Sequence, residues 1–192
     1  WLLLMALFPA AIYTYTDSLW TGVQVFLGIA FVTTLGLLWA FWGALFPKDV
    51  GDFARVAQPY NIDGNNDAGV EYRQSSALAV LEIFAADSAA TDATLDGAKA
   101  TAGRKAGEGA RVASEQPFSV AALKDAGGVK ITFTTDAKAT GAHTSLYYFT
   151  TDRWRVKVLA STPVGGKEAD RMLDEFVRAL PWNTLGTDSG LH

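Results

Sequence analysis

Thr21–Phe46 reads TGVQVFLGIAFVTTLGLLWAFWGALF, a run of 26 residues without a charge. As one helix it would be about 39 Å long at 1.5 Å per residue, more than the roughly 30 Å of a bilayer's hydrocarbon core. Hydropathy therefore predicts a spanning helix over 21–46. Tyr13, Tyr15 and Trp20 precede it and Trp39 and Trp42 lie near its far end, the places where interfacial aromatic anchors sit. Residues 1–16 open with WLLLMALFPAAI, apolar but interrupted by Pro9. They read either as a first span, making residues 1–46 a hairpin anchor, or as an interfacial helix before a single span. Gly36, Ala40 and Ala44 recur every fourth residue with Gly43 beside them. Small residues at that spacing let helix backbones approach in lipid, so these four are the expected helix-packing face.

The charge distribution sharpens the division. All 16 Lys and Arg, and all but one of the 20 acids, fall in residues 48–192. The net charge of −4 gives no electrostatic reason to bind nucleic acid. The absence of Cys excludes disulfides, Cys-ligated metal and Cys catalysis, and two His leave little for a metal site. Lys48 and Arg55 come after the apolar run with nothing basic before it. By the positive-inside count alone, that favours the cytoplasm for residues 47–192.

Residues 47–69 read as a linker, with QPYNIDGNNDAG at 58–69 rich in turn formers. Asn61, Asp63, Asn65 and Asp67 alternate like calcium ligands. The EF-hand spacing fails, because its sixth position is Asn66 and its twelfth Tyr72.

Residues 70–182 carry the pattern of a folded domain. Ala77–Ala85 is a short apolar run that suits a buried strand. Thr91–Ala106 favours a helix, capped by Thr91 or Asp92, and the GRKAGEG stretch at its end lacks the P-loop spacing. Val129, Ile131 and Phe133 alternate with polar residues. Ser145–Thr150 is β-prone, and Trp154, Val156 and Val158 alternate with Arg153, Arg155 and Lys157, with a tight turn at Thr151-Asp152. Lys167–Leu180 has Met172, Phe176 and Leu180 on one helical face and stops at Pro181. Trp182 is expected to fold back onto the domain, and residues 183–192 read as a mobile tail. The fold class expected is α+β: an N-terminal transmembrane segment, one span or a hairpin, followed by an antiparallel sheet with packed helices.

ALAVLEIFA at 77–85, SLYYFTTDRWRVKVLAS at 145–161 and EADRMLDEFVRALPW at 168–182 resemble, in element order, the α/β/α sandwich of PsbP-type domains. The resemblance spans about 110 residues, carries no motif, and transfers no functional residue. It implies an extrinsic or accessory subunit of a membrane complex outside the cytoplasm, though residues 1–46 depart from that pattern.

No catalytic constellation emerges. His143 has no Gly-x-Ser-x-Gly to serve, and the acid pairs Asp87 with Asp92 and Asp174 with Glu175 read as solvated faces. Arg153, Arg155 and Lys157 share one face of a strand and form the expected surface for anionic lipid or an acidic partner. The expectation is a non-enzymatic accessory subunit, without cofactor, of a photosynthetic or respiratory membrane complex, its soluble domain extracytoplasmic. Its partners would be other membrane-protein subunits and the bilayer. The alternative is a membrane-anchored ligand- or lipid-binding module with an apolar pocket lined by Tyr148, Phe149 and Phe176.

Overall fold

The computed structural model describes residues 46–62, 67–123, 127–135, 143–163 and 166–186, preceded by helical positions at 24, 26–31, 33, 34, 43 and 45. The chain divides into two units, Trp1–Gly43 and Ala44–His192.

The first unit corrects the expected membrane anchor. Among the described residues no helix is long and apolar enough to cross a membrane. A span needs about 20 apolar residues in one helix. The membrane location, with its extracytoplasmic domain, is corrected with that anchor, and nothing supports the photosynthetic or electron-transport host that the resemblance implied. Tyr13, Tyr15, Trp20, Gly36, Trp39, Ala40, Trp42 and Ala44 lie outside the described residues. Gly43 is helical, and a Cβ there would meet nothing within 4 Å.

The second unit is dominated by antiparallel sheet, with few helices, and this corrects the expected fold class. Its strands are β1 (Asp49–Val50), β2 (Phe53–Arg55), β3 (Tyr60–Ile62), β4 (Asp67–Gln74), β5 (Ala77–Ala85), β6 (Arg111–Pro117), β7 (Gly127–Thr134), β8 (His143–Thr150) and β9 (Trp154–Thr162). A 3₁₀ turn (Thr91–Ala93) leads into helix α1 (Leu95–Ala106), and α2 (Lys167–Ala179) and the short α3 (Trp182–Gly186) close the described chain. The nine strands make one sheet in the order β1-β2-β4-β5-β9-β8-β7-β6, with β3 also paired to β4. Every pairing is antiparallel.

Residues 47–69, expected to be a linker, contain β1, β2 and β3. These strands are two or three residues long, too short to show a period of two; β2 and β3 form by pairing with β4, and β1 by pairing with β2. Asp67, read as a possible calcium ligand, is fully buried. It accepts hydrogen bonds from Ala85 N (2.8 Å) and Ser88 Oγ (2.5 Å).

Local chemistry sets the helix starts. Thr94, not Thr91 or Asp92, caps α1, its hydroxyl accepting from Gly97 N at 3.1 Å. Gly97 is obligatory, because a Cβ there would overlap the Thr91 carbonyl oxygen. α1 buries only Ala98 and Ala102 as side chains, and small residues let it lie close over β7, β8 and β9. α2 turns Leu173, Phe176 and Val177 inward, the 3.6-residue stripe of an amphipathic helix.

Alternation along the strands builds two cores. On the α1 face Ile131, Phe133, Leu146, Tyr148 and Leu159 pack under Ala98 and Ala102. On the α2 face Phe176 packs on Phe53 (ring centroids 4.5 Å apart) and Tyr72 (5.5 Å). Trp182 stacks against Phe149 at 4.6 Å, and its indole Nε1 donates to the Val177 carbonyl at 2.7 Å. β6 ends the sheet. All seven of its residues are exposed, and a β-bulge interrupts its register between Val112 and Ser114.

Candidate functional site

The expected basic row does not form a cationic surface. Arg153 is exposed and precedes β9. Arg155 Nη1 donates to the Thr151 carbonyl at 2.7 Å. Lys157, the third member, is 1 % exposed. β9 lies in the middle of the sheet with helices on both faces, so a cation midway along it, as Lys157 is, becomes buried. Alternation predicted the shared face of Arg155 and Lys157. It could not show that α1 and the 3₁₀ turn cover that face.

A polar network compensates the buried charge. Lys157 Nζ donates to Asp92 Oδ2 at 2.6 Å and contacts the carboxylate of Glu82, its direct cross-strand partner on β5. Thr101 Oγ1 on α1 donates to Asp92 Oδ1 at 2.6 Å, and Arg104 Nη2 donates to Thr101 Oγ1 at 2.8 Å. The Tyr60 hydroxyl on β3 donates to Glu82; burial first, and then the charges of Glu82 and Glu71, push this phenol up to about 12. Burial would raise the Asp92 carboxyl, but the hydrogen bonds from Lys157 and Thr101 and the lysine charge hold it below the usual range. One lysine thus joins β3, β5, β9, the 3₁₀ turn and α1.

A second clamp lies on the opposite face. Lys130 of β7, 3 % exposed, donates to Asp170 Oδ1 and Asp174 Oδ1 of α2, both at 2.8 Å. The Tyr147 hydroxyl donates to Asp174 Oδ1 at 2.6 Å, and burial followed by that carboxylate drives its pKa far above the ordinary phenol range. His143 Nε2 lies 3.1 Å from Asp170 Oδ1 and 3.3 Å from Ser145 Oγ. In the sequence Lys130 is one of the polar residues alternating with Val129, Ile131 and Phe133, and Asp170 and Asp174 fall opposite the helix face of Met172 and Phe176. The i, i+4 spacing of the two acids was the signal that they could converge on one cation.

Ser145, His143 and Asp170 are the residue types of a hydrolytic triad, but the arrangement does not perform that chemistry. A triad uses both ring nitrogens, one toward the nucleophile and the other toward the acid. Here the same Nε2 faces both. Ser145 is 0 % exposed, so a substrate carbonyl cannot reach its hydroxyl. The group acts as a latch between β8 and the first half of α2.

Asp170 makes that latch acid-sensitive. Burial would raise its carboxyl, yet the Lys130 hydrogen bond and charge, with His143, hold it below the usual range. A carboxyl whose folded pKa is depressed adds stability above its unfolded value, near 3.9, and loses it as pH falls through that value toward the folded one. The urea midpoint of the wild type is therefore expected to drop below about pH 4. Asp170→Asn should show a flatter acid limb and a lower midpoint at neutral pH. A parallel acid limb in the variant would remove Asp170 from this role.

The expected apolar pocket is absent, because its three residues are packed apart. Tyr148 lies under α1 and donates to the Ala93 carbonyl at 2.6 Å, whereas Phe149 and Phe176 lie on the other face. Among the described residues one recess of about 440 Å³ lies between residues 120–122 and the chain from Arg178 to Thr184. Another, of about 430 Å³, lies where the β4–β5 turn Ser75–Ser76 approaches α2. Asp52, Glu168, Arg171 and Glu175 charge its rim, and Ala77, Pro163 and Met172 supply its apolar part. Among the described residues no cluster of His, Asp or Glu could hold a metal ion. No family model matches this chain, and no curated protein matches it.

Proposed function

We propose that this protein is a non-enzymatic accessory subunit that holds a partner protein. The observation that carries the reading is the confinement of the chemistry-bearing side chains. Lys157, Lys130, Ser145 and Tyr147 are buried and engaged with groups of the same chain. The recess beside the β4–β5 turn sets Asp52, Glu168, Arg171 and Glu175 around an apolar patch, a mixture found at polar protein–protein contacts. The element-order resemblance to PsbP-type domains points to the same class. The ligand-module alternative loses its footing, since Tyr148, Phe149 and Phe176 are consumed in packing.

The test is cross-linking and native mass measurement of the chain purified gently from its own cells, beside a Ser76→Trp variant that fills the recess. A stoichiometric protein partner is expected with the wild type and its loss with Ser76→Trp. A lone chain, or a partner retained equally by the variant, would count against this reading.

A further inference from the structure

We propose that Lys157 and Asp92 condense to an intramolecular amide, a covalent cross-link between the centre of the sheet and the turn that leads into α1. The nucleophile is Lys157 Nζ, sealed from solvent and 2.6 Å from Asp92 Oδ2. Thr101 Oγ1 donates to Asp92 Oδ1 at 2.6 Å, which marks Oδ1 as the oxygen that keeps its place and takes up charge when the carboxyl carbon is attacked. Oδ2 is then the oxygen that leaves. Glu82 touches the same ammonium and lies directly across the strand pair, so it can carry protons between nitrogen and Oδ2. The ring of Phe84, whose centroid is 5.8 Å from Nζ, closes one side with apolar surface.

The step balances within these groups. One proton passes from the Lys157 ammonium through Glu82 to Asp92 Oδ2, turning the ion pair into an amine and a carboxylic acid. The amine lone pair attacks Cγ and the Nζ–Cγ bond forms. A second proton moves from Nζ through Glu82 to Oδ2, the Cγ–Oδ2 bond breaks, and one water departs. Glu82 ends as it began, and no net proton, oxidant or cofactor is consumed. The depressed carboxyl of Asp92 makes the first proton transfer the uphill part. Proximity offsets it, since holding Nζ within hydrogen-bond distance of the carboxyl makes the reaction intramolecular. The product is favoured at the sealed Nζ, because a neutral amide there needs no counter-charge.

Intact-mass measurement of the purified, denatured full chain decides the matter. The expected mass is lower than the sequence mass by about 18 Da, one water. Trypsin should then release a branched peptide joining residues 74–99 to residues 156–167, with Lys157 uncleaved and fragmentation placing the branch on Asp92. The full sequence mass would overturn the proposal. So would the same loss on an unbranched peptide, as a succinimide at Asp63-Gly64 would give, or a branch at Glu82. Glu82→Gln, checked for folding by circular dichroism, should slow formation by about tenfold or more, and wild-type linkage in that variant would remove Glu82 as the proton carrier.

Discussion

Lys130→Ala is expected to lower stability by about 3–5 kcal/mol, because it leaves a buried network without its cation. Asp170 and Asp174 would then face each other one helical turn apart on α2, with the Tyr147 hydroxyl and His143 the polar side chains left to them. α2 should loosen first, from its N-terminal half. Urea denaturation gives the magnitude, and hydrogen exchange along residues 167–175 gives the place. The triple replacement Lys130→Met, Asp170→Leu and Asp174→Leu should recover most of the loss, since well-packed apolar groups commonly match or exceed a buried ion pair. A Lys130→Ala variant within about 1 kcal/mol of wild type would show that water solvates the two acids well enough to do without the lysine.

The second large effect is Phe176→Ala, at about 3–5 kcal/mol. This ring fills the gap between Phe53 on β2 and Tyr72 on β4, so its loss opens a cavity walled by two rigid aromatics that cannot collapse into it. Phe176→Leu should cost roughly 1–2 kcal/mol, as part of the volume is kept. β2 is three residues long and lies near the edge of the sheet, so the cavity should also free β1 and β2 from β4. Limited proteolysis near residues 49–55 would report that release. Equal protection of this segment in variant and wild type would mean that the ladder to β4 holds it without Phe176.

What the sequence made legible is what repeats locally. The apolar run at 77–85 is β5, the alternations around Ile131 and Val156 are β7 and β9, and the apolar stripe from Met172 to Leu180 belongs to α2. Each signal is contained in about a dozen residues. β1, β2 and β3 were hidden because strands so short have no period and depend on a partner elsewhere in the chain. The burial of Lys157 and Lys130 was hidden for a related reason. A lysine between two apolar β-branched residues reads as solvent-facing until both faces of its strand are known to be covered. The uncharged run at 21–46 predicted a span, whereas among the described residues no helix is long and apolar enough to cross a membrane.

The bulge in β6 has a bearing on how this molecule meets its neighbours. An incoming strand reads an edge as a regular series of donors and acceptors. Along β6 that series loses step at Ala113 and lacks a donor at Pro117. A second sheet therefore finds no continuous template there, and the exposed end of a nine-stranded sheet does not invite stacking into fibres. At this edge selectivity for a neighbour falls to side chains, where it can be altered one residue at a time.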